Sequence, residues 1–201
     1  MKTNRPMIKA LFVPILIGIP LIAAKADVLQ YDAFLSGPNE SPPNVSPGTG
    51  FAIVDYDNVA HTLLVDVSFS GLLGTTTASH IHAATASPGT GTAGVATTTP
   101  TFAGFPLGVT SGSYSNLLDL TLASSYNPAY VTANGGTSAS AEAALAAAMA
   151  AGEAYLNIHT TVVPGGEIRG FLTLVPEPSG AALLGLGATI IAWAGRRRTR
   201  V

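Results

Sequence analysis

The sequence predicts a mainly β domain: an antiparallel β-sandwich of Ig-like, Greek-key type with one short Ala-rich helix. Three observations predict it. Thr and Ser are abundant, Gly and Pro punctuate short apolar runs, and the stretch from His61 to Ser70 alternates cleanly between apolar and polar side chains. Two terminal segments, an N-terminal signal peptide and a C-terminal transmembrane helix, are expected to flank this body.

Val28 to Leu35 is the first candidate strand. Ser36 to Gly50 follows with four prolines, each of which fixes φ and removes a donor, so this stretch is expected to be extended and irregular. Phe51 to Tyr56 is the second strand, and Asp57-Asn58 supplies turn chemistry after it. In the third strand Leu63, Val65, Val67 and Phe69 point one way while Thr62, Asp66 and Ser68 point the other. Ala83 to Gly104, rich in Thr, Gly and Ala, reads as a long surface loop.

Ser138 to Ala151 is the exception to the β pattern. Its alanine density favours helix, with Ser138 as the expected cap and Gly152 as the expected stop. Glu142 is assigned to the first turn, where the macrodipole favours negative charge, and Leu145 and Met149 would dock the helix on the sheet. Glu153 to Thr161 and Glu167 to Leu174 then form a strand pair around Pro164-Gly165-Gly166. In its second member Ile168, Leu172 and Leu174 share a face with Gly170.

Charge divides the 201 residues into three regions. Between Asp27 and Val175 there are ten acids and one cation, Arg169, so the body carries −9. The eight other Lys and Arg residues lie at the ends, and Glu177 brings the whole to −2. A body without a basic patch has nothing with which to neutralise phosphates, which excludes nucleic acid as a partner.

Both ends read as addresses. Three cations in the first nine residues precede an apolar run from Ala10 to Ala23, and Ala24-Lys25-Ala26 is a small-x-small cleavage site. That is the layout of a secretory signal peptide over residues 1–26, with Ala24 and Ala26 read by signal peptidase. Pro14 and Pro20 argue against a buried core helix there. At the other end Val175-Pro176-Glu177-Pro178 is a stiff break. Ser179 to Gly195 follows without a charge, at the short end of a membrane-spanning helix, and Arg196-Arg197-Arg198 would hold its end in the cytoplasm.

This tripartite tail, residues 176–201, resembles the PEP-CTERM sorting signal of exported Gram-negative proteins. The resemblance rests on Pro176, Glu177 and Pro178, the apolar run, and Arg196, Arg197 and Arg198. It implies an exosortase-type processing enzyme as partner and a precursor held in the cytoplasmic membrane. The mature form is then expected at the cell surface or outside the cell.

Chemistry-bearing residues are few. There is no cysteine, which excludes disulfides, thiol nucleophiles and Cys-ligated metal. His80-Ile81-His82 carries the most information. On a strand its two imidazoles share a face with backbones about 7 Å apart, a spacing from which both can reach one zinc or copper ion. The alternative is that each binds nearby backbone. His159 lies with Tyr155 and Asn157 on one face of its own strand and is the candidate third ligand, while His61, beside a turn, is expected at the solvated surface. Arg169 is expected to form a structural ion pair, with Glu167 as its same-face neighbour and Glu153 as the other candidate. No G-x-S-x-G elbow is present. Asp55 and Asp57 fit a turn better than a glycosidase pair. Gly89-Thr90-Gly91-Thr92-Ala93-Gly94 has the spacing of a dinucleotide fingerprint, but no βαβ unit surrounds it and the reading is rejected. No catalytic residue is assigned.

Several motifs in order are similar to the CHRD domain, first described in chordin. They are Leu35-Ser36-Gly37-Pro38-Asn39-Glu40-Ser41-Pro42-Pro43, Thr49-Gly50 and Ala78-Ser79-His80-Ile81-His82. Ala154-Tyr155-Leu156-Asn157-Ile158-His159-Thr160 and Pro164-Gly165-Gly166-Glu167-Ile168-Arg169-Gly170 complete the set. Ala83-Ala84 departs from the Gly and small residue often found after the second histidine. The resemblance implies a β-sandwich-like extracellular module over residues 27–175 with no generally accepted enzymatic activity. Its H-x-H and Gly-rich strands are reminiscent of copper/zinc superoxide dismutase, a likeness of fold that does not transfer function.

Two functions follow as expectations. The first is a non-enzymatic exported protein acting in adhesion or in contacts with an extracellular polysaccharide or biofilm matrix. The second is a copper- or zinc-binding or superoxide-dismutase-like redox domain using His80, His82 and His159. The acidic body repels superoxide and attracts metal cations, which favours sequestration over dismutation.

Overall fold

The computed structural model describes residues 28–176. Strands β1 (Val28–Ser36), β2 (Thr49–Asp57) and β3 (Thr62–Ser70) form an antiparallel meander of nine-residue strands. Alternation decides what they bury. Tyr31, Ala33 and Leu35, then Ala52, Val54 and Tyr56, then Leu63, Val65, Val67 and Phe69 all face the core. The turn between β2 and β3 uses Asp57 as expected, its Oδ1 accepting the N–H groups of Val59 and Ala60 at 2.8 Å each.

Strands β4 (Thr76–His82), β5 (Gly112–Asp119), β6 (Tyr155–Thr160), β7 (Ile168–Phe171) and β8 (Thr173–Leu174) complete an eight-stranded antiparallel sheet. The strand order is β4-β6-β7-β1-β2-β3-β5, with β8 also paired to β1. The expected single strand from Glu167 to Leu174 is therefore two short ones. They part at Leu172, whose N–H donates to Ala154 O, and Leu174 at the end is largely exposed. Strand β5 carries no clean alternation in sequence, because Asn116 and Leu117 break the pattern, and pairing with β3 alone defines it.

The expected sandwich takes the form of one continuous sheet curled over its core. Residues 71–75 join β3 to β4, five strand positions apart in the sheet. Flat, that separation is about 24 Å. Six Cα steps reach at most about 22 Å fully extended. The sheet must therefore curl into an open barrel. Phe102, just beyond the β4 edge, stacks on Tyr114 of β5 at 5.6 Å between ring centroids. The outer edge of β4 is not left bare: Ala96, Thr97 and Phe102 donate their N–H groups to Ile81 and Ser79 carbonyls.

Two helices follow β5. Helix α1 (Pro128–Ala133), for which the sequence carries no clear helical signal, is a single capped turn and a half whose Asn127 side chain accepts from Ala129 N. Helix α2 (Ser138–Ala150) lies where expected, with Leu145 and Met149 buried. Its cap is Thr137, not Ser138: Thr137 is extended and exchanges hydrogen bonds with Ser140 in a capping box. Glu142 consequently sits beyond the first turn. It is buried, accepting from Tyr56 Oη at 2.9 Å and meeting His61 Nδ1 at 3.0 Å. His61 lies at the surface, as expected, and there it is partnered by Glu142. Among the described residues no helix is long and apolar enough to cross a membrane.

Candidate metal centre

Strand register brings the histidines together. In the β4–β6 pair Ala78 faces His159, His80 faces Asn157 and His82 faces Tyr155. Ser79 and Ile81 point into the core, so His80 and His82 point to the outer face of the sheet. Tyr155, Asn157 and His159 share that face. The three imidazole centroids lie 5.2 to 5.8 Å apart. One ring nitrogen from each lies within 4.8 Å of the others.

An outer sheet face would normally be wet, yet His80 and His82 are buried. The Ala83 to Gly104 loop covers them. It is a surface loop, as expected, with most of its residues exposed, and it serves as a lid through Ala83, Thr85, Ala96, Thr97 and Phe102, which are buried. Carbonyls of this loop fix the rings of His80 and His82, and Pro164, between β6 and β7, fixes that of His159. His80 Nε2 contacts Pro100 O, His82 Nδ1 contacts Ala93 O at 3.0 Å, and His159 Nδ1 contacts Pro164 O at 2.9 Å.

A carbonyl can only accept, so each of these nitrogens carries the proton. The lone pairs then belong to His80 Nδ1, His82 Nε2 and His159 Nε2. These three atoms are buried and have no hydrogen-bond partner. Orphaned acceptors in one cluster are costly unless something fills them, and the N–H to carbonyl arrangement is the outer-shell pattern that orients metal-binding imidazoles. Burial lowers the pKa of all three rings, that of His82 to about 4, so they stay neutral and can donate to a cation. A zinc or copper ion bonded at about 2.0–2.1 Å to each would draw nitrogens to within about 3.4 Å of one another, a small closure from the present spacing. The donor set fits such an ion.

Arg169 lies beside this cluster and corrects the expected ion pairs. Its guanidinium is buried, donates from Nε to Asn39 O and from Nη1 to Gly91 O at 2.8 Å, and stands 3.8 Å from Glu40 Oε2. Glu40, in the irregular Pro-rich segment, was not singled out by the sequence analysis. Burial pushes its carboxyl up to about 7 against the pull of Arg169. Glu167 does not pair with Arg169, because β7 begins only at Ile168 and the carboxylate turns inward. There it accepts from Ser46 Oγ, Thr160 Oγ1 and Leu73 N at 2.6 Å each and from Gly74 N at 3.1 Å. Burial raises its pKa, but those four donors outweigh it and hold the carboxyl below its ordinary value. Glu153 contributes backbone instead, its carbonyl accepting from Thr85 N and its N–H donating to Ala148 O.

Tyr155 links the cation to the histidines. Its ring stacks on His82 at 4.8 Å and 3°, and the Arg169 guanidinium lies 4.7 Å from the centroid of the same ring. Sequence placed Tyr155 on the face of His159, but nothing in the sequence could show this stack or the backbone carbonyls that orient the rings. Asn157, buried with Oδ1 unpartnered, leans on Gly166, where any Cβ would collide with its carboxamide. Pro176 is exposed at the end of the described residues. Ala24, Ala26, Glu177, Pro178, Arg196, Arg197 and Arg198, and with them the signal peptide and transmembrane segment, lie outside those residues.

A family model, the CHRD domain, matches residues 31–172. No curated protein and no solved structure matches the chain.

Proposed function

The chain belongs to the CHRD-domain family, and from that footing we propose that it is an exported protein whose domain sequesters a copper or zinc ion through His80, His82 and His159. One observation carries this reading: three clustered imidazoles, two buried and one half-buried, each offer a ring nitrogen within 4.8 Å of the others, and each keeps one nitrogen without a partner while a backbone carbonyl holds the other. The body charge of −9 draws cations toward the site. His159, less buried than the other two, supplies the side from which an ion enters.

The terminal addresses supply the setting. Signal peptidase acts after Ala26, an exosortase-type enzyme acts at Pro176-Glu177-Pro178, and the mature domain reaches the cell surface or the surrounding matrix. Metal content by mass spectrometry on the purified full-length chain tests the metal half, beside the His80→Ala, His82→Ala double variant. Near-stoichiometric copper or zinc, lost in the double variant, is expected. A folded wild-type chain that retains neither ion after equilibration with both would sink the reading.

A second reading, contact with extracellular polysaccharide, has its own observation. Phe34 and Phe51 pair on the outer face of β1 and β2 at 4.8 Å, and Phe34 is 75% exposed. Ser68 and Ser113 continue that row across β3 and β5. An aromatic platform beside hydroxyls suits a sugar ring. Retention on an exopolysaccharide column, abolished by Phe34→Ala with Phe51→Ala, is the expected result.

A further inference from the structure

We infer that the three-histidine centre selects univalent copper, Cu(I), over Cu(II) and Zn(II), and that Arg169 sharpens this selection through its stack on Tyr155 and His82. The inference rests on the metal reading above and adds the identity and charge of the ion.

The donor set is the first argument. All three ligating atoms are neutral nitrogens, and no carboxylate belongs to the cluster. The full charge of the ion is therefore uncompensated within the group. The Born cost of burying a charge rises with its square, so a divalent ion costs about four times as much as a univalent one before coordination is counted. Coordination number points the same way. Structural zinc sites are closed by four protein ligands, a three-histidine zinc site needs water as its fourth, and Cu(II) prefers a tetragonal set, whereas three nitrogens suffice for trigonal Cu(I). Among the described residues no fourth histidine joins the group: His61 sits on Glu142, at the β2–β3 turn.

Arg169 is the second argument. It is a permanent cation, 3% exposed, and its guanidinium, the Tyr155 ring and the His82 ring are stacked in that order. The two stacking distances, 4.7 and 4.8 Å, place the guanidinium roughly two ring spacings from His82. At an effective dielectric constant of about 20, a unit charge at that range alters affinity for each further unit of ionic charge by about tenfold. A divalent ion feels this twice and a univalent ion once. Glu40, 3.8 Å from the guanidinium, partly offsets the field. The two residues therefore tune the site in opposite senses. Both act through the field and neither is a ligand.

The test uses the purified full-length chain. Cu(I) affinity is read anaerobically, with ascorbate present, by competition with bicinchoninate; Cu(II) and Zn(II) affinities are read by competition with nitrilotriacetate. The wild-type chain is expected to hold Cu(I) most tightly. Arg169→Gln should shrink the Cu(I)-over-Cu(II) preference by about tenfold, Arg169→Lys should keep most of it, and Glu40→Gln, measured at pH 8, should enlarge it. Tighter binding of Cu(II) or Zn(II) than of Cu(I) overturns the inference and leaves the metal reading standing. A shift of the same sign in Arg169→Gln and Glu40→Gln overturns the role of the field, since disturbed packing would move both alike. If Arg169→Gln does not fold, the Lys and Glu40 variants still decide the matter. Binding of none of the three ions removes the metal reading and this inference together.

Discussion

The ring of Tyr155 lies parallel to that of His82, with centroids 4.8 Å apart and planes 3° from coincidence. Both side chains also hold the same backbone residue: His82 Nδ1 and Tyr155 Oη meet Ala93 O at 3.0 and 3.4 Å. Tyr155 therefore fixes the plane in which His82 presents its free nitrogen. Tyr155→Leu is expected to weaken metal affinity by about 10- to 100-fold, the usual effect of losing an orienting partner, while Tyr155→Phe keeps the stack and stays within a few-fold. Competition titration of the two variants checks this. Equal losses in both would mean that the hydroxyl, not the stack, orients the ring.

The buried histidines give the metal-free chain an acid-sensitive stability. Burial lowers all three, His82 from 6.5 to about 4, so the folded state binds fewer protons than the unfolded state in that window. Stability is then intact above pH 6.5 and falls as pH drops toward 4, by at most about 1.4 kcal/mol per pH unit for each histidine. Glu40, raised from 4.5 to about 7, acts with the opposite sign between those values and partly offsets the fall. Urea midpoints at pH 7.5, 6 and 5 in the presence of chelator should fall in order. The His80→Ala, His82→Ala chain should show a flatter profile.

Glu167 ties three separate segments to the start of β7. Ser46, the Leu73-Gly74 link and Thr160 all donate to its fully buried carboxylate. Glu167→Gln replaces one acceptor oxygen by a donor and leaves buried donors facing it. A loss of about 2–4 kcal/mol in denaturant unfolding is expected. A loss under 1 kcal/mol would show that the segments are held by their other contacts.

Gly170 allows β7 to lie against β1. A Cβ there would fall 2.5 Å from Phe34 O and 2.8 Å from Phe34 C, and both are backbone atoms that cannot swing aside. Gly170→Ala should cost about 3 kcal/mol by overpacking and lower the melting temperature accordingly. An unchanged melting curve would refute that close approach.

Deletion of residues 176–201 probes the sorting proposal. The shortened chain should still be exported but should no longer follow the route of the full-length chain. Fractionation and immunoblotting of the two forms decide the point, and identical localisation would end that half of the proposal.

Much of the β framework was legible because alternation is a local property. Leu63, Val65, Val67 and Phe69 announce their shared face within one strand, and all four are buried. The Asp57 turn and the Ala-rich helix were likewise written in short-range chemistry. Strand β5 and helix α1 were not, since a weakly patterned segment becomes a strand only when β3 lies beside it. The ion pair was misread for a related reason. Glu167 and Arg169 are two residues apart, but strand pairing begins between them, and Arg169 finds Glu40, about 130 positions earlier, across a fold that no spacing rule describes.

By itself, the sequence determined the class of the fold, the acidic body, the absence of thiol chemistry and the pairing of His80 with His82 on one face. Those features depend on composition and on the two-residue period of a strand. Only the tertiary structure decided that His159 joins them, that backbone carbonyls of the lid and of Pro164 select which nitrogen of each ring is free, and that Arg169 is stacked behind the cluster. Each of these is set by register between strands and by the path of a loop over them, where His80 and His159, 79 positions apart in sequence, come to lie within a few ångströms.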